Sequence, residues 1–508
     1  MSTPNRPQPR EIFLINTQTG QKERVETLEP GKVKFYSCGP TVYNLIHIGN
    51  LRAALTADLL FRWFKRAGYE VVYVRNYTDI DDRIIQQSIQ EGIPAEAVSR
   101  KYIQEVEKDY ALAGLEEPTH KTKVTEHIPE IIAMISKILE HGQGYVAPSG
   151  EVLFSVEAFE GYGKLSHRKL EDNAAGARVE VREEKRNPFD FSLWKPAKPG
   201  EPEWESPWGK GRPGWHIECS AMASKWLGDR IDVHHGGEDL VFPHHENEIA
   251  QSEAASGKAP YVRYWVHNAF LNISKQKMSK SLGNVISARD FLVQFGAEVA
   301  RYLLLSAHYR TLLDFSEEAL SQALDGLERI HEAKKKAVEL RGLKAAVPDA
   351  RAEEAWGSFL AACEQARRQI DDAYANDLNT PGALGAVFTL IREFNRTLSV
   401  PRAQASPGAV LGATELVRVL EEDLGSVMGI GRSEPGQALA RIAEIRARRP
   451  TDSGMERPTA EQIEQLIQKR KDARAAKNFA ESDRIRQELE ARGVAIKDGP
   501  TGTTWQYK

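Results

Sequence analysis

The sequence predicts a doubly wound α/β parallel sheet carrying an insertion, followed by an all-α helical bundle and a small C-terminal α+β module. Three observations carry this reading. A strand of β-formers at 33–37, a Gly- and Pro-containing loop, a helix from Leu51 to Ala67 and the apolar run Val71-Val72-Tyr73-Val74 form a βαβ unit. Apolar residues recur at helical spacing from Ser316 to about residue 430. The length of 508 residues exceeds what one hydrophobic core supports.

The first helix is marked by Leu55, Leu59, Leu60, Trp63 and Phe64, and Gly68 ends it. The run 71–74 is apolar throughout, as suits a parallel strand covered on both faces. From about 120 to 210 the rhythm breaks. A helix at Ile128–Glu140, short strands around Val152-Leu153-Phe154 and loops rich in Pro and Trp read as an insertion. Alternation of strand and helix resumes near Ile231 and continues past Tyr264-Trp265-Val266.

Four apolar stripes then predict the bundle: Leu320/Leu324/Leu327, Trp356/Phe359/Leu360/Cys363/Ile370, Leu384/Val387/Phe388/Ile391/Phe394 and Leu416/Leu420/Leu424. Thr380-Pro381 fits an N-cap followed by Pro at the first helical position. Helices at 459–475 and 479–491 form the terminal module. The expected layout is a sheet domain from 1–120 and 205–260, an insertion at 121–204 and a junction at 261–315. A bundle at 316–430, a linker at 431–457 and the module at 458–508 complete it.

Composition excludes several classes. The formal net charge of -4 does not advertise a nucleic-acid binder, so any such contact must use local basic patches. Three cysteines make no disulfide framework and point to a reducing compartment. Met1-Ser-Thr-Pro-Asn-Arg-Pro7 lacks the apolar core of a signal peptide. No apolar run reaches the ~18 residues of a membrane span. A cytoplasmic protein without membrane contact is expected.

Four segments carry chemistry. His47-Ile48-Gly49-Asn50 opens a helix directly after a strand, where unpaired N–H groups and the helix dipole favour phosphate. Taken alone it fits an ordinary βα turn with a packed His equally well. Lys277-Met278-Ser279-Lys280-Ser281 puts two lysines on a Ser- and Gly-containing loop, suited to offsetting charge on a triphosphate; alone, it fits a solvated basic loop. The combination, in this order, resembles the two signatures of class I aminoacyl-tRNA synthetases.

The other two segments, together with Cys38 upstream of His47 in the first, read as a metal constellation. His244 and Glu248 stand four apart, on one face of a helix, and Cys38 and Cys219 lie in Cys38-Gly39-Pro40 and Gly214-Trp215-His216-Ile217-Glu218-Cys219. Thiolate, imidazole and carboxylate together favour zinc over magnesium or calcium. His234, His235, His244 and His245 cluster in one short segment, and those that are not ligands are candidates for a supporting layer or for substrate contacts. Cys363, on a helix stripe, reads as a core residue.

At this point the resemblance becomes narrower. Cys38-Gly-Pro-Thr-Val-Tyr43, Asn76-Tyr-Thr-Asp-Ile-Asp-Asp82, Arg212-Pro-Gly-Trp-His-Ile-Glu-Cys-Ser-Ala-Met222, Phe242-Pro-His-His-Glu-Asn-Glu-Ile-Ala-Gln251 and Lys277-Met-Ser-Lys-Ser281 resemble the cysteinyl-tRNA synthetases along nearly the whole chain. The resemblance implies a Rossmann-like catalytic domain, zinc on Cys38, Cys219, His244 and Glu248, and cysteine contacts at Thr78, Trp215, His234 and Asp239. It implies ATP contacts at His47, Gly49, Asn50, Lys277 and Lys280, the same residues except Gly49 being catalytic, with Mg²⁺ accompanying ATP. Cysteine, ATP and tRNA(Cys) are the expected partners and a monomer the expected state.

From chemistry alone, Asp239 suits an ammonium group, and Trp215 suits either a small pocket wall or core packing. The chain departs from the family's common form at Asn50, often His, at Asn44, often Asp, and at His235, often Gly or Ala. Asn50 can still donate a hydrogen bond. Near the C-terminal end, Lys469, Arg470, Lys471, Arg474 and Lys477 concentrate positive charge, and Trp505 and Tyr507 offer stacking faces; a solvated helix surface fits these residues equally. A ligase joining cysteine to an amino sugar and a non-catalytic tRNA- or zinc-binding relative are the competing readings. The basic terminal third argues against the first, and His47, Lys277 and Lys280 against the second.

Overall fold

A hairpin of β1 (Phe13–Ile15) and β2 (Lys22–Arg24) leads into β3 (Lys32–Ser37), α1 (Ile48–Arg66), β4 (Glu70–Tyr77), α2 (Asp82–Glu91), α3 (Ala95–Leu112) and β5 (His120–Lys123). These elements come from a computed structural model, which describes residues 9–168, 184–273, 276–277, 285–343, 348–448, 458–499 and 502–507. The insertion follows, with α4 (Ile128–Glu140) and an antiparallel sheet of β6 (Gly144–Val146), β7 (Val152–Phe154), β8 (Phe191–Pro196) and β9 (Gly211–Pro213). The chain returns through α5 (Trp215–Leu227), β10 (Ile231–Gly237), α6 (Glu246–Ser256) and β11 (Val262–Asn268).

Five of these strands form one parallel sheet in the order β11-β10-β3-β4-β5. The order reverses between β3 and β10. In a doubly wound sheet that reversal leaves a crevice at the carboxyl ends of the two strands. The chain then enters β12 (Leu271–Ile273) and β13 (Gln276–Lys277), passes α7 (Ala288–Phe295) and α8 (Ala297–Leu305), and adds β14 (Leu313–Phe315) beside β12.

Helix α1 packs against β4 and against α7 and α8. Nearly every residue from Leu51 to Phe64 is therefore buried, including Arg52, Asp58 and Arg62. Asp58 Oδ2 accepts from Arg62 Nε at 2.8 Å and Arg301 Nη2 at 2.6 Å, while its Oδ1 accepts from Glu116 N at 2.8 Å. Arg301 also donates to the carbonyl of Met428 at 2.6 Å. A single buried carboxylate thus ties α1 to α8 and to the 113–116 turn.

The chain divides into two compact units, residues 1–323 with 360–393 and 418–430, and residues 324–359 with 394–417 and 431–508. The helices beyond β14 are α9 (Glu317–Arg341), α10 (Ala350–Ala375), α11 (Thr380–Leu398), α12 (Pro407–Arg418), α13 (Pro435–Arg448), α14 (Ala460–Ala475) and α15 (Phe479–Ala491). In the second unit Trp356 packs on Phe359 and Phe394 and donates its Nε1–H to the Ala403 carbonyl at 2.9 Å. Its C-terminal part closes with the hairpin β15 (Val494–Gly499) and β16 (Gly502–Tyr507) over Ile463, Ile485, Leu489 and Val494.

The expected boundaries shift in four places. Strand β11, inside the span read as a junction, is an edge strand of the main sheet, and β5 at the opposite edge crosses the boundary at 120. Residues 360–393 and 418–430, read as bundle, cluster with the sheet unit. The stretch 431–457, read as linker, contains α13, whose Ile442 and Ile445 are buried and whose Arg446 pairs with Glu328 at 2.7 Å. Residues 449–457 lie outside the described residues.

Asp58→Ala is expected to leave two buried guanidinium groups without their carboxylate and to cost about 3–5 kcal/mol. Urea unfolding followed by tryptophan fluorescence checks this; an unchanged midpoint would contradict the keystone role of Asp58.

Candidate metal centre and active-site cavity

Cys38 directly follows β3, Cys219 lies on α5, His244 precedes α6 and Glu248 stands in its first turn, so the four converge at the crevice where strand order reverses. Gly39 permits the approach. A Cβ there would stand 1.7 Å from the carbonyl oxygen of Asn76, while the Gly39 N–H is held by Asn76 Oδ1 at 2.8 Å.

Cys38 Sγ lies 3.8 Å from Cys219 Sγ and 3.7 Å from Glu248 Oε1, and His244 Nε2 lies 3.0 Å from the same oxygen. One donor atom from each of Cys38, His244, His245 and Glu248 falls within 4.8 Å of all the others. Cys38, His244 and Glu248 are common to this set and to the predicted one; the fourth place is contested by Cys219 and His245. His245 Nε2 is 3.4 Å from Cys38 Sγ, but its Nδ1 is engaged by His267 Nε2 at 2.7 Å, and His267 Nδ1 meets Thr17 Oγ1 at 2.8 Å. Cys219 faces the cavity and His245 does not.

The electrostatics of the cluster are those of a site that wants a cation. Burial and the charge of Cys219 push the Glu248 carboxyl up to about 8, and burial pushes the Cys38 thiol well up. Cys219 is held well below the usual thiol range by its hydrogen bond with Cys38 and by His244. Burial opposes a charge on His244, yet its bonds to Cys219 and Glu248 raise it to about 10. Protons thus hold the donors together. Glu248 Oε2 is buried with no hydrogen-bond partner. Soft thiolate, imidazole and carboxylate donors with an orphaned carboxylate oxygen fit zinc. Burial holds the neighbouring imidazoles of His216, His234 and His245 neutral.

The cluster forms one wall of a cavity of about 410 Å³. Cys38, Cys219 and His244 line it, as do Thr78, Trp215 and Asp239. His234, predicted to touch the same ligand as these last three, instead lies behind the wall. It is fully buried, 3.5 Å from Cys38 Sγ, and stacked on Trp265.

His47, Gly49 and Asn50 line the same cavity. Here the helix start differs from expectation. His47 Nδ1 accepts from the N–H groups of Gly49 at 3.1 Å and Asn50 at 3.3 Å, and Asn50 Oδ1 accepts from His47 N at 3.2 Å. The sequence supplies its own capping box, so these N–H groups are engaged rather than offered to phosphate. The same bonds place the imidazole proton on Nε2 and leave the Asn50 amide nitrogen as that side chain's donor. Lys277 sits on β13 opposite Asn272, and Lys280 lies outside the described residues.

Sequence reasoning missed two members of the cluster. His216 Nδ1 lies 2.9 Å from His244 Nδ1, and His267 braces His245. Their signal was present but weak: His216 falls inside the block that carries Cys219, and His267 lies on an apolar strand. His235 is buried against Ser37 Oγ at 3.0 Å, so it packs the strand ends rather than loosening them.

At the C-terminal end the predicted basic face is reduced. Arg470 makes a two-pronged bond to Asp498 at 2.8 and 2.9 Å, and Arg474 joins it at 3.1 Å. Tyr507 is buried with its hydroxyl on the Pro458 carbonyl, so it does not present a stacking face. Trp505 remains partly exposed.

Residues 24–325 match the model of the class I (C) tRNA synthetase catalytic domain, 369–430 the DALR domain, and 457–505 the cysteinyl-tRNA ligase anticodon-binding domain. The cysteine–tRNA ligase of Geobacter sulfurreducens is 48% identical over 503 residues, 98% of this chain and 100% of that protein. The chain belongs to the cysteine–tRNA ligase family.

Relatives bearing that name in Chromobacterium violaceum and Bdellovibrio bacteriovorus are 45% and 43% identical, each across 97% of this chain and 99% of the relative. The fold is shared with the Mycobacterium tuberculosis methionyl-tRNA synthetase in complex with methionyl-adenylate, at TM-score 0.59 and 14% identity over 80% of this chain and 93% of that one. Among the described residues no helix is long and apolar enough to cross a membrane.

Between His244 and Glu248 stands Glu246, buried, whose carboxylate accepts the N–H groups of Gly163, Leu165 and Ser166 at 3.0, 3.1 and 2.8 Å. It pins the insertion loop onto the helix that carries Glu248. Bonds to a carboxylate stabilise by about 1.5–3 kcal/mol each. Glu246→Ala is therefore expected to speed amide exchange at 163–166 on the order of tenfold or more. Hydrogen–deuterium exchange checks it, and unaltered protection would show that the loop is held by other contacts.

Proposed function

We propose that this chain activates cysteine with ATP and transfers it to tRNA(Cys), with zinc on Cys38, Cys219, His244 and Glu248 selecting the substrate by its sulfur. The observation that carries the reading is a single cavity, in which soft metal donors form one wall and His47 and Asn50 another. We give the fourth place to Cys219, because its thiol lines the cavity beside Cys38 and His244, and take His245, bonded to His267, as the brace of the cluster.

Bound there, zinc would offer a soft acceptor that lowers a thiol's pKa from its ordinary ~8.5 and takes sulfur in preference to a hydroxyl. Around it the chain's own groups position the amino acid. Asp239 can pair with the ammonium, Trp215 closes one side, and Thr78 offers a hydroxyl at the end of β4. The cysteine carboxylate attacks the α-phosphate of ATP, and pyrophosphate leaves. His47, donating through Nε2–H, and Asn50, through its amide, face the nucleotide; Lys277 and Lys280 meet the phosphates that Mg²⁺ accompanies. A ribose hydroxyl at the 3′ end of the tRNA then takes the cysteinyl group and AMP leaves. Catalysis here is positioning and charge stabilisation, and no general base is assigned.

The domain layout belongs to the same proposal. Residues 458–508 would read the anticodon, the helices beyond residue 316 would hold the tRNA, and the chain would act as a cytoplasmic monomer. Serine differs from cysteine by one atom, a difference that a pocket of fixed shape resolves only weakly. Selection through sulfur explains why two cysteines line a cavity of this size.

Cysteine-dependent ATP–pyrophosphate exchange followed by transfer to total tRNA tests the reading. Both are expected, and a strong chelator is expected to abolish both until zinc is restored. Exchange without transfer to tRNA would favour ligation to an amino sugar instead. No exchange from zinc-loaded protein would overturn the enzyme reading. Cys219→Ser is expected to lower bound zinc, measured by mass spectrometry of the metal, and to raise the share of serine activated. Unchanged zinc content would pass the fourth place to His245.

A further inference from the structure

Arg52 stands in the first turns of α1, two residues beyond Asn50, and is 1% exposed. Among the described residues no carboxylate lies within ion-pairing distance of its guanidinium. It instead donates to backbone carbonyls from two separate segments. Nη1 reaches Ala269 at 3.0 Å and Phe270 at 2.7 Å, while Nη2 reaches Thr311 at 2.6 Å and, at 3.4 Å, both His308 and Tyr309. Burial lowers its pKa to about 10, only partly offset by the charge of Glu238, which makes no ion pair with it. A cation buried at that cost needs a reason other than charge pairing.

The position of those carbonyls supplies one. Ala269 and Phe270 immediately precede β12, and Thr311 lies just before β14, the strand that pairs with it. The two segments are also bonded to each other, Ala269 N to the Tyr309 carbonyl at 2.9 Å and Leu313 N to the Phe270 carbonyl at 3.2 Å. The third strand of this small sheet is β13, where Lys277 pairs with Asn272. The far side of the lysine motif is tied to the same helix start, through Ile48 N to the Ile286 carbonyl at 3.1 Å and Ala288 N to the Ile46 carbonyl at 2.9 Å. Both flanks of the motif are therefore registered on α1, one by the backbone and one by Arg52.

We propose that Arg52 is a positioning residue for adenylate formation: its guanidinium fork sets the register between the His47–Asn50 helix start and the sheet that carries Lys277. It touches neither nucleotide nor amino acid. The fork matters more than the charge, because a planar donor set can span two segments where an ammonium holds one point. The metal cluster lies at the far wall of the cavity and does not depend on this contact. The proposal rests on the adenylate-forming reading, and the experiment separates the two.

Arg52→Lys and Arg52→Gln are assayed by cysteine-dependent ATP–pyrophosphate exchange, with rates counted per active site titrated by adenylate formation. Displacing a catalytic group by a fraction of an ångström to an ångström costs up to roughly 100-fold in rate. Both variants are expected to lose ten- to a hundredfold, as an order of magnitude, in kcat per active site. KM for cysteine should stay within about twofold and bound zinc should match the parent protein, since uniform losses mark lost binding rather than lost alignment. Arg52→Lys retaining the parent kcat would show that charge alone suffices and overturn the fork. Equal losses in kcat and in cysteine binding, or a variant unfolded at the assay temperature, would make Arg52 a structural residue only and overturn the proposal. Absence of exchange in the parent protein would strike the function proposed above, not Arg52.

Discussion

Two thiols, that of Cys38 partly buried and that of Cys219 buried, stand with a buried carboxylate and histidine within a few ångströms of one another at the carboxyl ends of β3 and β10, and the surrounding structure is arranged around that crowding. Without a cation, protons must be shared among them, which is why Glu248 and His244 are both driven far from their ordinary ranges. Neutral imidazoles on the inner side, a cavity on the outer side and a bracing bond from His267 all limit where the donors can move. A cluster so confined would take a metal at low reorganisation cost, because its geometry is fixed by packing.

That confinement propagates outward through few elements. α6 carries Glu248 and, two residues earlier, Glu246, whose carboxylate orders the 163–166 turn of the insertion. Neighbouring residues on the same helix extend the seam, as Lys164 meets Glu253 and Tyr162 meets Asn247. The insertion is thereby attached to the helix that carries Glu248 rather than only to the strands from which it departs. On the other side of the cavity, α1 is held by Asp58 at its middle and by Arg52 near its start, so both walls rest on rigid supports.

Much of this was legible because it rests on local pattern. The βα unit through α1, the α4 helix and the two terminal helices follow from apolar spacing and glycine placement, whereas Thr78, Trp215 and Asp239 on the cavity are reached only through the resemblance to a known family. What escaped detection depends on distant partners. Arg52 reads as a polar residue on a helix until carbonyls from 269–311 are brought to it, and His267 reads as part of an apolar strand until His245 arrives. α13 was hidden by Gly and Pro around it, since its apolar positions gain meaning only from the core they enter. Arg470 and Tyr507 misled in the opposite sense: residue type suggested an RNA-facing surface, and tertiary pairing used them internally.

The capping box at His47 shows how one local device can serve the site at a distance. A helix start that leaves its N–H groups open can bind phosphate directly, but its side chains are then free to rotate. Here His47 and Asn50 engage each other's backbone, which fixes both side chains at the cavity and sets the imidazole tautomer. With Asn at position 50, the carbonyl oxygen of the amide closes the cap and the nitrogen of the same amide remains that side chain's donor. Asn meets both demands with one planar group whose acceptor survives acidification, whereas an imidazole there would lose its acceptor on protonation below a pKa of about 6.5.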